Sequence, residues 1–480
     1  MESNQNFREE QDLIGKKLIP IKALYGVNTQ RAIENFQISE KTMSHYPSLI
    51  KGFAIIKKAA AQANNSLGIL SQEKANAIIQ ACEEIYSGKY HDQFPIDMIQ
   101  GGAGTSCNMN ANEVISNRAL QIMGKELGAY KFCSPYDDVN QSQSTNDVYP
   151  SACKLGIYLE TSTLEKSLEN LIKSFDKKKE EFKDIIKIGR TQLQDAVPMT
   201  LGQTFGAYAS SMKEELNLIK EVSKKLLVLN MGATAIGTGI CSEPGYSNLV
   251  IEILKKNTGL DISNSEDLIY ATSDTSSLVH YSAALKSLSL KLIKICNDLR
   301  LLSSGPRCGF GEINLPKAQP GSSIMPGKIN PVIPEVVGQI CYMVIGNDTI
   351  VMLGSENSQL ELNVFEPVMV YSIFESIKLL INGINTLVEK CVDGIQANLK
   401  HCEKLVKDSI TLVTAFNPYI GYKESTKLSN ECFKNEKGIY DLILEKKILS
   451  KEQVDLILKP ENLIKPVKLD ININKTDEKK

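Results

Sequence analysis

The sequence contains no tryptophan, only four histidines among 480 residues, and no long uninterrupted apolar run. His45, His91, His280 and His401 never stand at the HxxxH spacing of a helical metal site, so no histidine-built metal centre is predicted. No stretch approaches the roughly 18 uninterrupted apolar residues of a membrane-spanning helix. The first eleven residues are polar and lack the apolar core of a signal peptide. We therefore expect no membrane partner.

Neither sign of charge is in excess. The chain has 54 Lys and Arg residues against 56 Asp and Glu, for a net charge of −2. Nothing in this balance points to nucleic acid as a partner. The eleven cysteines are odd in number and scattered without CxxC pairs, a pattern typical of a reduced protein, which predicts a cytoplasmic location. At this length the chain has room for two or three domains.

Apolar spacing predicts long helices through the middle of the chain. From about residue 275 to 303, apolar residues recur at alternating steps of three and four, which indicates a packing seam roughly 40 Å long. The seam consists of Leu278, Tyr281, Leu285, Leu288, Leu292, Ile295, Leu299 and Leu302. Leu290 and Leu301 lie off it, which predicts a helix buried on several sides. Other helices are predicted over 48–65, 71–86, 201–231, 332–353 and 365–399, and from Ser151 up to an interruption at Gly189; five of the long ones form a bundle.

Four polar loops interrupt the helices, around residues 100–110, 139–147, 189–198 and 321–331. They offer hydroxyls, amides, glycine N–H groups and one Lys or Arg, which suits a small dicarboxylate. Taken singly, each could instead be a helix cap or a solvated turn. No Ser-His-Asp set, P-loop or pair of carboxylates suited to glycosidase chemistry is evident. The shared composition favours an anion site assembled from several loops.

The same loops resemble, in order, the motifs of the fumarase/aspartase superfamily of lyases. The matching stretches are Gly101-Gly-Ala-Gly-Thr-Ser106, Gln143-Ser-Thr-Asn146, Gly189-Arg-Thr-Gln-Leu-Gln-Asp195 and the loop 321–331. The resemblance covers essentially the whole chain from Tyr25 onward. It implies an all-α fold with an N-terminal domain (1–145), a central five-helix bundle (146–400) and a small C-terminal helical domain with a polar tail (401–480). It also implies a homotetramer with a twenty-helix core and active sites shared between three subunits.

Within the superfamily the chain is most similar to the branch that reversibly eliminates ammonia from L-aspartate to give fumarate. The resemblance implies that no cofactor is required; because some members of this branch use a divalent cation at alkaline pH, metal activation is left open. It makes Ser322 the general base, with Lys328 and Asn330 binding substrate and Ser323 in a nearby contact. The residues that would hold the carboxylates and the amine are Thr105, Ser144, Thr145, Asn146 and Thr191. Gly321 and Gly327 are expected to be the hinges of a lid.

Gln192 discriminates between reactions on this scaffold. Fumarases carry histidine at this place in the motif, as do some members of the ammonia-eliminating branch. A fumarase must expel hydroxide, a poor leaving group that an acid has to protonate. The ammonium group of aspartate can leave as ammonia without a new proton, and a glutamine can hydrogen-bond a carboxylate but cannot act as an acid. Gln192 therefore favours ammonia elimination over hydration. Two alternatives stay open, a class II fumarase and a catalytically silent protein on the same scaffold. The second dicarboxylate site of fumarases is not carried over, because its turn is replaced by Ser134-Pro-Tyr-Asp137.

Overall fold

The computed structural model describes residues 6–435 and 437–471, and within them the chain is predominantly α-helical. The polar tail predicted over 470–480 lies, from residue 472 on, outside the described residues. The α-helices are α1 Val27–Asn35, α2 Pro47–Ser66, α3 Gln72–Tyr86, α4 Thr105–Ile122, α5 Thr145–Glu181, α6 Leu201–Ser223, α7 Tyr246–Thr258, α8 Leu268–Ser273, α9 Ser276–Leu302, α10 Val332–Glu356, α11 Glu366–Lys390, α12 Leu399–Asp408, α13 Asn417–Ile420, α14 Tyr422–Asn435, α15 Ile439–Glu445, α16 Lys451–Ile457 and α17 Pro460–Leu463. The predicted all-α class is confirmed.

Short strands pair into two-stranded sheets. They are β1 Phe7–Gln11, β2 Lys16–Pro20, β3 Ile186–Thr191, β4 Gln194–Thr200, β5 Val228–Leu229, β6 Ser263–Asn264, β7 Ile313–Asn314 and β8 Gln396–Ala397. β5 and β6 pair in parallel, and the other three pairs are antiparallel. None of these sheets is large enough to organise a core, which the helices therefore form.

The chain divides into two compact units, each made of several segments. The first comprises Met1–Ser167, Glu215–Leu290 and Ile340–Asn382, and the second Leu168–Glu214, Lys291–Gln339 and Gly383–Lys480. The boundaries fall inside the five longest helices, α5, α6, α9, α10 and α11. The three-part division at 145/146 and 400/401 stays a prediction.

In the first unit, side chains join the long helices into the expected bundle. The pairs are Thr161 with Tyr281 (α5–α9), Glu215 with Ser287 (α6–α9), Ser282 with Asp348 (α9–α10) and Asn347 with Ser376 (α10–α11). The predicted seam of α9 is buried along its whole length. Off the seam, Leu290 is 55% exposed and Leu301 is 41% exposed in the single chain, so burial of α9 on several sides stays a prediction.

The second unit contains an element that the sequence analysis assigned wrongly. The segment 189–198, expected to be a polar loop, is the antiparallel hairpin β3–β4, with a bulge between Ile188 and Arg190. Ile186 and Ile188 alternate along β3 and pack into a core with Phe416 and other apolar residues of the C-terminal helices. This burial on one face stabilises a strand although the segment is rich in polar residues.

Two predicted helix ends were also wrong. The helix expected to reach residue 231 ends at Ser223, where a short 3-10 turn leads into β5. The helix expected to reach residue 399 ends at Lys390, and a turn through Gly394 follows. A Cβ on Gly394 would lie 2.5 Å from the Pro316 ring, so close packing requires glycine here.

Two segments of the described chain, α10 and Glu366–Gly394, are long and apolar enough to cross a membrane by length and composition alone. Core helices of soluble proteins pass the same test. In the single chain α10 leaves large apolar side chains open, with Tyr342 60% and Met343 57% exposed. Exposed apolar surface of this kind is typical of an interaction site.

Candidate active site

The loop 321–331, predicted from its glycines and prolines, precedes α10. Hydrogen bonds between Gly321 at its start and Lys328 and Asn330 near its end form the neck of the loop. The backbone N–H of Gly321 donates to the Lys328 carbonyl oxygen at 2.8 Å, and the Asn330 amide nitrogen donates to the Gly321 carbonyl oxygen at 2.8 Å. A Cβ on Gly321 would lie 2.7 Å from the Lys328 carbonyl oxygen, so only glycine fits this neck. The hinge roles of Gly321 and Gly327 stay predictions.

Ser322 lies just beyond the neck, where its side-chain oxygen accepts two backbone hydrogen bonds. The N–H groups of Ile324 and Met325 lie 3.2 and 3.0 Å from Ser322 Oγ. Donors in this position stabilise negative charge on the oxygen. Ser322 is half-buried, whereas the neighbouring Ser323 is exposed. The loop therefore singles out one of its two serines.

Lys328 and Asn330 follow Ser322 in the same loop. Both line a groove of about 1160 Å³ in the second unit, which Arg300 also lines. The Nδ2 of Asn330 is committed to the loop neck, so its Oδ1 is the atom left for other contacts. Arg300 lies on the final turn of α9, a helix whose apolar spacing predicted only core packing.

Thr191 and Gln192 lie at the tip of the β3–β4 hairpin, where both are exposed. Gln192 and Leu193 form its two-residue turn with φ of 54° and 62°. Such turns prefer glycine or asparagine, so these side chains hold a strained backbone conformation. No hydrogen bond joins Thr191 or Gln192 to the loop 321–331 among the residues described.

A buried carboxylate anchors the base of this hairpin. Glu312 is inaccessible to solvent, pairs with Arg190, and has Lys187 Nζ 3.2 Å from its Oε2. The Arg190 guanidinium also lies over the Phe310 ring, 4.4 Å from its centroid. These contacts fix the strand that ends at Thr191.

In the first unit, Thr105 begins α4 after a turn built from glycines. Gly102 and Gly104 have φ of 92° and 87°, and a Cβ on Gly104 would meet the Tyr149 ring at 2.3 Å. The Thr105 hydroxyl donates to the Gly102 carbonyl oxygen at 2.8 Å and is exposed. Close packing of the turn thus brings this hydroxyl to the surface at the start of a helix.

The segment Ser144–Thr145–Asn146 begins α5 and is held by Asp147. The N–H of Ser144 donates to Asp147 Oδ1 at 2.9 Å, and the N–H groups of Gly232 and Thr234 donate to Oδ2 at 3.1 and 3.0 Å. Burial raises the pKa of Asp147 to about 6, against the lowering effect of these donors. The small-residue turn after residue 231 is therefore a support for this segment, a role that its sequence did not reveal.

Two further side-chain contacts connect this segment to its surroundings. Asn146 Nδ2 donates to the Ala235 carbonyl oxygen at 2.7 Å, and Asn108 Nδ2 donates to Thr145 Oγ1 at 3.1 Å. Because Asn108 lies one turn after Thr105 on α4, its amide joins two of the predicted substrate-binding segments.

Beneath them lies Lys57, which the sequence analysis missed entirely. Its fully buried ammonium donates to Asn140 Oδ1 and Gln143 Oε1, both at 2.9 Å. Burial lowers the pKa of Lys57 to about 7, and the nearby charge of Asp147 partly opposes this. Lys57 occupies a core-facing position of the apolar helix α2, and a lysine at such a position is a sequence feature that could have indicated a buried charge.

Comparison with known proteins decides the family. A family model described as lyase matches residues 15–346, and one described as fumarase C C-terminus matches residues 412–465. The chain is 53% identical to an aspartate ammonia-lyase of Helicobacter pylori strain J99, over 96% of this chain and 98% of that one. The chain belongs to the aspartate ammonia-lyase family. A relative of the same name from Escherichia coli K12 is 48% identical over 96% of this chain and 97% of its own.

Solved structures of related lyases share the fold of this family member. A fumarate lyase:delta crystallin from Brucella melitensis, bound to cobalt, superposes with a TM-score of 0.93 at 46% identity, covering 96% of this chain and all of that one. A class II fumarase from Schistosoma mansoni superposes with a TM-score of 0.88 at 35% identity, covering 95% and 98%. The superfamily resemblance seen in the four motifs is thereby confirmed.

The ten predicted site residues fall into two groups. Thr105, Ser144, Thr145 and Asn146 belong to the first unit, and Thr191, Gln192, Ser322, Ser323, Lys328 and Asn330 belong to the second. Within residues 6–435 and 437–471, no three His, Cys, Asp or Glu side chains are grouped so that they could hold a metal ion. The hydroxyl, amide and ammonium groups of the ten site residues are suited to anion binding and proton transfer.

Proposed function

We propose that this chain catalyses the reversible elimination of ammonia from L-aspartate to give fumarate. The observation that carries the proposal is the pair of backbone N–H groups on Ser322 Oγ, in the same loop as Lys328. A serine hydroxyl is a weak base, and its alkoxide becomes usable when donors and positive charge stabilise it in a water-excluded site. The same activity is named for relatives about half identical to this chain over nearly its whole length.

The Ser322 alkoxide removes a proton from the carbon beside the β-carboxylate of aspartate. The electron pair passes into that carboxylate, giving an aci-carboxylate whose extra negative charge Lys328 stabilises. The pair then returns to form the carbon–carbon double bond, and the C–N bond breaks so that the ammonium group leaves as ammonia. Ser322, now neutral, gives its proton to solvent before the next turnover.

The hydroxyl groups of Ser144 and Thr145 would orient the substrate, because their oxygens already accept a hydrogen bond from the protein. Thr145 Oγ1 accepts from the Asn108 amide, and Ser144 Oγ accepts from the Asn146 N–H at 3.2 Å. Because these oxygens are acceptors for the protein, their own O–H hydrogens remain to donate to a carboxylate. Thr105, Thr191, Ser323 and the free Oδ1 of Asn330 complete the proposed set.

Gln192 separates this function from hydration. Its side chain stands at the exposed hairpin tip, where it can hydrogen-bond a carboxylate but cannot protonate a leaving hydroxide. The test follows fumarate absorbance with L-aspartate or L-malate as substrate. We expect turnover with L-aspartate and little with L-malate. Comparable turnover of malate would identify a fumarase, and turnover of neither would identify a silent protein.

We further propose that four copies form the enzyme and that three subunits build each site. Leu290 on α9 and Tyr342 and Met343 on α10 leave apolar surface exposed to solvent. In a symmetric tetramer, the same helices of the other copies would cover this surface. Light scattering tests the mass. Mixing Thr191→Ala subunits with Ser322→Ala subunits tests the shared site. If different subunits supply the two residues, mixed tetramers should regain about a quarter of the activity, because half of the subunits carry each intact residue.

The proposed chemistry uses only side-chain and backbone groups of the chain, so we propose that it requires no cofactor. Activation by a divalent cation is tested by comparing rates with EDTA and with Mg²⁺ at neutral and alkaline pH. All eleven cysteines lie in the described part of the chain, where no disulfide joins them, and nine of them are buried. This pattern supports our proposal of a reducing cytoplasmic location.

A further inference from the structure

The first unit contains a pocket that none of the ten predicted site residues lines. It has a volume of about 190 Å³ and is bordered by the start of α9, one turn of α5 and the segment that follows α6. Its lining includes Lys154, which lies nine residues beyond Thr145 on α5, roughly 14 Å along the helix at 1.5 Å per residue. The pocket is thus distinct from the residues assigned to catalysis.

Lys154 directs a buried ammonium into this pocket with most of its hydrogen-bonding capacity unused. The side chain is only 7% exposed, and its single protein acceptor is the Val228 carbonyl oxygen at 3.2 Å. An ammonium has three N–H donors, so two remain unpaired. Among the described residues, no carboxylate oxygen lies within 4.0 Å of Lys154 Nζ. Burial lowers the pKa of Lys154, and the charges of Glu366 and Asp274, which lie beyond ion-pair distance, only partly oppose this shift.

A second lysine and a histidine add donors to the same pocket. Lys225 Nζ lies 3.2 Å from His280 Nδ1, and because an ammonium can only donate, that nitrogen must be the acceptor. The His280 proton is therefore on Nε2, which makes that atom a further donor. Lys225, like Lys154, has no carboxylate oxygen within 4.0 Å in the described part of the chain.

Ser277 adds a buried hydroxyl group to the lining of the same pocket. Its side chain is 8% exposed, lines the pocket, and has an Oγ without any hydrogen-bond partner. It lies in the first turn of α9, whose N–H groups and dipole favour negative charge. A buried hydroxyl without a partner costs free energy, which a bound acceptor would recover.

Asp274 is the one carboxylate among the residues that line the pocket, and its oxygens accept hydrogen bonds from Ser276. Asp274 Oδ1 accepts from the Ser276 N–H at 3.2 Å, and Asp274 Oδ2 accepts from the Ser276 hydroxyl at 2.6 Å. Asp274 is thereby committed to the start of α9. Two lysines, the imidazole N–H and the Ser277 hydroxyl stay available for an anion.

We propose that this pocket binds a small oxyanion through Lys154, Lys225 and Ser277. Its volume corresponds to roughly six water molecules at about 30 Å³ each, which suits inorganic phosphate or a short carboxylate. Phosphate and carboxylate share the negatively charged oxygens that these donors recognise. The site is independent of the proposed ammonia-lyase activity, because none of its residues is assigned to that reaction.

The test titrates inorganic phosphate into the full-length protein by calorimetry, with acetate and succinate as parallel titrants. Lys225→Ala should weaken binding roughly tenfold or more, the loss expected for one charge-assisted hydrogen bond. Lys224→Ala is the matched control, because the adjacent exposed lysine carries the same charge but does not line the pocket. Ser277→Ala should also weaken binding, and without ligand it should leave thermal stability unchanged or raise it, since it removes an unpaired buried hydroxyl.

Repeating the titration in Lys328→Ala protein separates this pocket from the catalytic loop. Retained affinity supports the proposal, whether phosphate or a carboxylate binds more tightly, and that preference identifies the ligand. Loss of binding in Lys328→Ala would place the anion in the catalytic site and overturn the proposal. Equal weakening by Lys224→Ala and Lys225→Ala, or no saturable binding of any titrant, would also overturn it.

Discussion

Replacing Ser322 with alanine removes the one oxygen atom on which the proposed proton transfer depends. Two backbone N–H groups donate to that oxygen, at 3.0 and 3.2 Å. A hydrogen bond to a charged group contributes about 1.5–3 kcal/mol, so two would stabilise the alkoxide by about 3–6 kcal/mol. Since about 1.4 kcal/mol corresponds to tenfold in rate, this pair accounts for roughly 10²- to 10⁴-fold. We expect kcat for L-aspartate to fall about a thousandfold in Ser322→Ala.

The expected change in KM is small, because Lys328 and the hydroxyls of Thr105 and Thr145 would still bind the carboxylates. Initial rates of fumarate absorbance over a range of L-aspartate concentrations give both constants. Ser323→Ala is the matched control, since this adjacent serine is exposed and makes no hydrogen bond within the described chain. We expect it to lower kcat less than about tenfold, because it loses no transition-state charge interaction. Thermal unfolding should be nearly unchanged in both variants.

One result would refute this reasoning. If Ser322→Ala retained kcat within about tenfold of the parent while KM rose, Ser322 would be a binding group and another residue would be the base. Equal losses of kcat in Ser322→Ala and Ser323→Ala would likewise contradict the role given to the two N–H donors.

Four further substitutions test the residues that support the site. Gly321→Ala places a Cβ against the Lys328 carbonyl oxygen and should lower kcat at least tenfold. In Gly327→Ala the new Cβ meets open space, and only the positive φ of 82° disfavours alanine, by about 1 kcal/mol. We therefore expect Gly327→Ala to lower kcat less than Gly321→Ala does. Burial lowers the pKa of Lys57 from 10.5 to about 7. Between pH 7 and pH 10.5 the folded chain therefore binds fewer protons than the unfolded chain, so its free energy of unfolding should rise with pH over this range. In Lys57→Met, urea unfolding at pH 7, 8 and 9 should show a flatter dependence, and an unchanged slope would contradict this. Glu312→Gln leaves two buried cations without their carboxylate and should lower the free energy of urea unfolding by about 3–5 kcal/mol, whereas a loss below about 1 kcal/mol would contradict the anchoring role.

Periodic helices were predictable because their signal is local. The seam from Leu278 to Leu302 repeats a three-and-four spacing over seven turns, and each of its positions proved to be buried. The β3–β4 hairpin was not predictable in the same way. Ile186 and Ile188 give only two alternating positions, and its turn uses Gln192 and Leu193 where asparagine and glycine are the usual signal. Core contacts from the C-terminal helices stabilise this hairpin, and no local pattern reports such contacts.

The same difference between local and long-range signals applies to the candidate site. The exposed hydroxyls and amides were visible because glycine-rich polar loops interrupt apolar helices. The residues that hold them were not visible, since Lys57 contacts Asn140 across 83 positions of the chain. A single sequence reveals which side chains carry suitable groups, whereas the partners that orient them depend on long-range packing.

The amide oxygen of Asn140 receives three donors, from Lys57 Nζ at 2.9 Å, Asn112 Nδ2 at 3.1 Å and Asn108 Nδ2 at 3.2 Å. An oxygen with two lone pairs cannot align with all three, so the donors compete for it. When one asparagine is replaced, the remaining donors can shorten their bonds and recover part of the loss. Replacing Asn108 and Asn112 together should therefore cost more free energy than the sum of the two single replacements. Homologous chains should accept a change at either position more readily than changes at both.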